Sequence, residues 1–233
     1  MQQSKVRLVG ITYPKLEGIN SAEELVAYIA RVSNPSNQLN KETSAGLIKY
    51  LIKHQHWSPF EMVNVVLEIE TTRDIARQIL RHRSFSFQEF SQRYADPTKD
   101  LSFVTREARY QDTKNRQNSI KIDDTDDHDR QVQYQWENLQ QNLIERAENI
   151  YSWAISKGIA KEQARAVLPE GLIKSRMYMN GTLRSWIHYV QLRAANGTQL
   201  EHQEVAKQCM EVLKQEFPNI VAFVDETTKN HSK

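Results

Sequence analysis

Hydrophobic positions along this chain switch repeatedly between an alternating, β-type spacing and a helical one. Residues 6–13, VRLVGITY, are rich in β-branched and apolar side chains and predict an opening strand. Ser21, with Glu24 three residues later, forms a capping-box pattern before LVAYIARV and marks a helix start. Leu47, Ile48, Leu51 and Ile52 share one stripe, which predicts a helix over about residues 41–53. MVNVVLEIETT, residues 62–72, predicts a second strand, and residues 73–83 return to a helical period.

The pattern then weakens. Residues 84–94 are polar and aromatic without a helical period, which predicts an extended loop. A short strand is expected over 99–104. Residues 111–129 are charged and poor in apolar side chains, and 111–127 are expected to form a mobile insertion. Helical periods resume at 128–156, 161–168, 182–195 and 200–217, with a strand at 172–179. Residues 226–233 are a polar tail. No internal repeat and no linker divides the sequence, so residues 1–233 are expected to form one α+β domain.

Composition narrows the function classes. The 31 Lys+Arg nearly balance 29 Asp+Glu, which argues against a general nucleic-acid binder. A single cysteine, Cys209, rules out a disulfide framework within the chain and a zinc site built on several thiolates. No apolar run approaches the roughly 20 residues of a membrane helix, and the N-terminus shows no signal-type apolar stretch. A cytoplasmic protein without membrane contact is expected.

The chemistry concentrates in RHRSFSFQEFSQR, residues 81–93. Arginine forks bind phosphate or carboxylate oxygens in pairs and stay charged at any working pH. Arg73, Arg77 and Arg81 are spaced to share one helix face, with Gln78 one turn before Arg81. An anion cradle is one reading. The other is that arginines near a helix C-terminus merely complement its dipole.

The same stretch resembles the signature of the flavin-dependent thymidylate synthases. Arg81, His82, Arg83, Ser86, Glu89, Ser91 and Arg93 all fall on that pattern, with Gln88 where Asn is common. His56-Trp57-Ser58-Pro59-Phe60-Glu61, Ala164-Arg165-Ala166-Val167-Leu168-Pro169 and Arg184 through Arg193 resemble further segments of the family. One departure is Thr182, where many members carry Asn, with Asn180 displaced.

The resemblance implies a central, mostly antiparallel sheet flanked by helices, and a homotetramer with its sites at subunit interfaces. It implies FAD as cofactor, NADPH and methylene-tetrahydrofolate as co-substrates, dUMP as acceptor, and no metal. Seven glycines and no G-x-G turn exclude a Rossmann-type dinucleotide site, so the flavin needs another surface. By resemblance, Gln78, Arg81, Glu89, Phe90, Ser91, Gln92, Arg93, Arg165 and Arg193 surround dUMP. Ser58, Arg81, His82, Arg83, Glu89, Thr182, Arg184 and His188 surround FAD, and His56 faces flavin or folate. Arg193 is the catalytic candidate, stabilising negative charge on the uracil.

The residues themselves leave some alternatives open. Arg193 follows Trp186 by two helical turns on an apolar face, where it needs an anion, either a ligand or an acidic side chain. His54 and His56 form an H-x-H pair without an obvious third ligand, and His128 reads as solvated. Cys209 reads as a small core hydrophobe, and Ser91 as a hydroxyl donor to the dUMP phosphate rather than a nucleophile. A different class of function is a nucleotide- or RNA-binding module using Phe85, Phe87 and Phe90 as stacking platforms; it would purify colourless.

Overall fold

The structure is a computed structural model, and it describes residues 4–222. In chain order, β1 (Lys5–Ile11) is followed by α1 (Ala22–Ala30), α2 (Ser44–Lys53), a 3-10 turn (Ser58–Met62), β2 (Asn64–Thr72) and α3 (Arg73–Ile79). Then come β3 (Ser86–Glu89), α4 (Pro97–Asp100), β4 (Arg109–Gln111), β5 (Ser119–Lys121) and α5 (Asp127–Ser156). The chain ends with α6 (Lys161–Ala164), a 3-10 turn (Arg165–Val167), β6 (Lys174–Thr182), α7 (Leu183–Arg193) and α8 (Leu200–Glu216). The main sheet has order β1-β2-β6-β3 and is antiparallel throughout. The expected α+β class is therefore present.

Alternation explains how the sheet is covered. Val65, Leu67 and Ile69 of β2 and Met177 and Met179 of β6 are buried. They share one cluster with Ile75 and Ile79 of α3, Trp186 and Val190 of α7, and Val205, Cys209 and Leu213 of α8. On the alternate positions, Glu68 is buried by its ion pair with Arg7 across the strand pair, at 2.7 Å. Glu24 of the expected capping box reaches back to the Asn20 amide, while Ser21 Oγ accepts from Glu24 N.

The sheet centre contains a repeat that the sequence hides. β2 and β6 are nine residues each and pair from Asn64↔Thr182 to Thr72↔Lys174, with Glu68↔Tyr178 at the middle. Each ends in a threonine with the same extended backbone (φ −73, ψ 154 at Thr72; φ −69, ψ 155 at Thr182) and enters its helix without a loop. Arg73 N donates to Ile173 O at 2.9 Å, and Leu183 N donates to Val63 O at 2.8 Å. These are equivalent bonds about a local pseudo-two-fold. NVVLEIETT and KSRMYMNGT share no residue but the last, which is why no internal repeat was expected from the sequence.

Four expectations need correction. Residues 84–94 are not all loop: Ser86–Glu89 pairs with β6, and Phe90 N continues the contact to Arg176 O. α3 stops at Ile79 rather than 83, so Arg81 leaves the helix face shared by Arg73 and Arg77. Residues 99–104 are not a strand: 97–100 form a helical turn capped by Asp96, and only Phe103 bridges to Ile173. Within 111–127, β5 pairs with β4 as a small hairpin, and α5 begins at Asp127. Polar composition hid the hairpin because β4 and β5 are mostly exposed and bury no alternate face. The polar tail at 226–233 lies outside the described residues.

Candidate active site

The structure sorts the candidate residues into three neighbourhoods. The first joins the C-terminal ends of α3 and α7. Arg193 Nε donates to His82 Nε2 at 2.9 Å. Arginine cannot accept, so that ring nitrogen is unprotonated. His82 is held below its usual pKa by burial first, then by Arg193 and Arg81. Its ring packs edge-on against Tyr189, 4.9 Å between centroids. Gln78 of α3 bonds His202 and Gln199, which sequence reasoning did not single out. His202 is fully buried, with Tyr189 Oη at 3.1 Å from its Nε2. The sole sequence signal was a histidine on the apolar face of α8.

The second neighbourhood places residues 91–94 against α6. Arg93 pairs with Glu162 at 3.3 Å, and Lys161 donates to Tyr94 O at 2.9 Å. Arg165 follows in the next turn. The third neighbourhood joins the 3-10 turn that starts at Ser58 to the first half of α7. Arg184 pairs with Glu61, and His188 packs edge-on against Trp57 at 4.9 Å. His56 is exposed; its ring lies 6.2 Å from that of His54, and no metal-ligating group occurs among the described residues.

Several residues serve the fold as well. Glu89 accepts from Ser175 Oγ at 2.8 Å and lies 3.5 Å from Arg73 and 3.7 Å from Arg77. Arg73 and Arg77 also reach Glu170. The cradle read from Arg73, Arg77 and Arg81 is therefore dismantled, because two of its arginines already have carboxylates and the third leaves the helix. Thr182 caps α7, accepting from Ser185 N at 3.2 Å. Asn180 sits in the ladder opposite Val66 and Ser86. Cys209 is fully buried, and burial pushes its thiol far up, which removes it as a nucleophile.

Comparison with known proteins decides the family. The family described as "Thymidylate synthase complementing protein" matches residues 15–219. A probable flavin-dependent thymidylate synthase of Paramecium bursaria Chlorella virus 1 is 49% identical over 219 residues, covering 94% of this chain and 98% of that one. The chain belongs to the flavin-dependent thymidylate synthase family. A Synechocystis member is 44% identical over 224 residues, covering 94% of this chain and 99% of its own length. A UMP/dUMP methylase from Streptomyces cacaoi, crystallised with 5-Br dUMP, superposes with TM-score 0.79 at 25% identity, covering 97% of this chain and 96% of that one.

The donor set fits the anionic ligands of the family. Arg81 and Arg83 are exposed and form no ion pair among the described residues. Gln92 is 4% exposed, yet its Nε2 has no hydrogen-bond partner. A buried amide without an acceptor is costly and points to a group the protein chain does not supply. Arg81, Arg83 and Gln92 lie outside the broad cleft of this chain. That open cleft of about 1180 Å³ lies along α5, lined by Phe103, Arg106, Lys121 and Glu137. No helix among the described residues is long and apolar enough to cross a membrane.

Three histidines, of which His202 is buried and His82 half-buried, make an acid-dependence prediction. Burial, followed by nearby arginines, lowers His82 and His188, and it lowers His202 to about 3. Unfolded imidazoles take up protons near pH 6.5, whereas the folded His202 refuses them until about pH 3. The stabilisation is therefore complete above pH 6.5 and lost as pH falls toward 3. His202 alone accounts for about 1.4 kcal/mol per pH unit in that window. Urea midpoints measured from pH 7 to pH 5 should fall, and His202→Asn should flatten the slope. Parallel slopes for the two proteins would contradict this.

Proposed function

We propose that the chain catalyses the flavin-dependent methylation of dUMP to dTMP, with methylene-tetrahydrofolate as carbon donor and NADPH-reduced FAD as reductant. The observation that carries the reading is Arg193. It is half-buried, its described hydrogen-bond partner is a neutral imidazole, and no carboxylate among the described residues pairs with it. A guanidinium so placed suits an anionic or electron-rich ring. In this reading Arg193 holds negative charge on the uracil. Gln78, Gln92, Ser91, Arg93 and Arg165 hold the rest of dUMP, together with the Phe90 segment. Arg81 and Arg83 hold FAD phosphates, while His82, Ser58, Arg184 and His188 flank the flavin and His56 faces it. Bound flavin supplies the reducing equivalents; the chain's residues orient the ligands and polarise the ring.

The test is direct. The purified protein should be yellow, release FAD on denaturation, and form dTMP when given dUMP, methylene-tetrahydrofolate and NADPH. A colourless protein that takes up no added FAD would refute the cofactor and favour a plain nucleotide-binding module.

We also propose a homotetramer, with α5 at an interface between copies. Trp136, Leu139, Leu143, Ile150 and Trp153 fall on one stripe of this 30-residue helix and are between 41% and 64% exposed. The stripe from Trp136 to Trp153 is about 26 Å long, and an exposed apolar stripe of that length marks an association surface. A second copy is the occupant this reading assigns, in line with the interface-borne sites that the family resemblance implies. Leu139→Glu with Leu143→Glu should shift the light-scattering mass to a smaller species with lower flavin content. An unchanged mass would remove α5 from the interface.

A further inference from the structure

The hydrogen bonds around Gln78 form one directed chain, and its direction is fixed from one end. Glu201 is 8% exposed and pairs with Arg106 at 3.3 Å and with Arg109. Burial opposes its ionisation, but the helix-end backbone and the two arginines outweigh burial and hold its carboxyl below the usual range. An ionised carboxylate only accepts. Gln199 Nε2 therefore donates to it, at 2.9 Å, which turns Gln199 Oε1 toward Gln78 as an acceptor. Gln78 Nε2 donates to that oxygen at 2.8 Å, leaving Gln78 Oε1 to accept from His202 Nδ1 at 3.2 Å. His202 must then carry its proton on Nδ1, so its Nε2 accepts from the Tyr189 hydroxyl at 3.1 Å. No member can reverse without placing two acceptors or two donors face to face.

We propose that His202, a residue outside the signature, is a positioning residue for the nucleotide: as the Nδ1–H tautomer it clamps the Gln78 amide so that one N–H and one oxygen lone pair stay aimed out of the chain. This rests on the reading that Gln78 faces dUMP. A uracil edge offers a ring N–H donor and carbonyl acceptors, the complement of a fixed primary amide. An amide free to flip would present the wrong atom half the time. The clamp also lies beside the Arg193–His82 pair. The His202 ring centroid lies 6.3 Å from that of His82 and 5.8 Å from that of Tyr189, and His82 carries Arg193. Burial first, and then the nearby Arg193 guanidinium, keeps a proton off His202, so the ring stays an orienting group rather than an acid.

Side-chain lengths allow a discriminating test. In His202→Asn the amide nitrogen falls where Nδ1 stood and can still donate to Gln78. In His202→Gln the polar group falls where Nε2 stood, so Tyr189 is satisfied and Gln78 loses its donor. The holoenzyme variants are compared for flavin content, kcat and KM for dUMP, with Gln78→Ala in parallel. The Asn variant should keep the dUMP KM within about threefold, and the Gln variant should raise it about tenfold, the loss of one buried hydrogen bond. Flavin content should stay the same in both. Equal KM values in the two variants, raised or not, would reduce His202 to packing and overturn the proposal. A Gln78→Ala variant with unchanged KM would overturn the dUMP reading of Gln78 and the clamp with it. A raised KM there, with a silent His202→Gln, would overturn the clamp alone. Nitrogen-15 NMR of histidine-labelled wild-type enzyme gives a check that needs no variant. His202 should show a protonated Nδ1, and the opposite tautomer would reverse the chain and refute it.

Discussion

Arg193→Ala is expected to lower dTMP formation by roughly 10²–10³, the usual consequence of removing one preorganised charge-stabilising donor. The protein should remain folded and yellow. Arg193 sits at the last position of α7, about one and a half turns beyond His188 and two and a half beyond Arg184, the two assigned to flavin. The structure adds one link to that side, the bond from Arg193 to His82. Losing a bond to a neutral ring costs about 1 kcal/mol, so flavin affinity should weaken by no more than about tenfold. Without the neighbouring guanidinium, His82 also takes a proton more readily, although burial still opposes it. Arg193→Lys should recover only part of the activity, because an ammonium cannot both hold His82 and present a planar fork to a ring. Flavin content, KM for dUMP and dTMP yield measured on one preparation separate the roles. Near wild-type yield, or complete flavin loss with dUMP binding intact, would move Arg193 to a different ligand.

Gly181→Ala is expected to destabilise the fold by about 3 kcal/mol, the upper range for overpacking a core by one methyl. A Cβ at Gly181 would stand 2.3 Å from Phe85 Cδ1 and 2.5 Å from its Cε1. The ring has little room to retreat, since Trp186 lies edge-on at 4.9 Å and Tyr189 at 5.9 Å. The strand cannot shift freely either, because Gly181 is held opposite Val65 in the ladder. For a domain of this size the thermal midpoint should fall by roughly 5–12 °C. Phe85→Leu in the same background should recover part of that loss, although alone it destabilises, so a double-mutant cycle reads the contact directly. Additive effects of the two changes would show that the methyl and the ring never met.

Much of the architecture could be read from periodicity, because β2, β6, α5, α7 and α8 bury regular faces. β3 could not. It is four residues long, it buries no alternate side fully, and its one aromatic residue, Phe87, reads as part of a stacking loop until a partner strand is known. The candidate site divides the same way. The arginines and histidines of the signature are visible as types and spacing, so the ligand class was legible. Which arginine is neutralised is a tertiary fact: Glu170 and Glu89 cancel Arg73 and Arg77, while Arg81 and Arg83 keep no such partner among the described residues. Gln199 and His202 escaped notice because the partner they share, Gln78, lies more than 100 residues away along the chain.

The pseudo-two-fold has a consequence for where this chain tolerates insertions. α3 and α7 are spliced to β2 and β6 with no joint, so the His82–Arg193 separation is inherited from the ladder between the strands. One residue added at 72/73 or 182/183 would advance a helix by a full strand step, about 3.3 Å, and turn its buried face away. The tip of the β4–β5 hairpin carries no such constraint, since it can lengthen or shrink without touching either splice. Length variation belongs at that tip, and the two threonines mark positions where the chain accepts none.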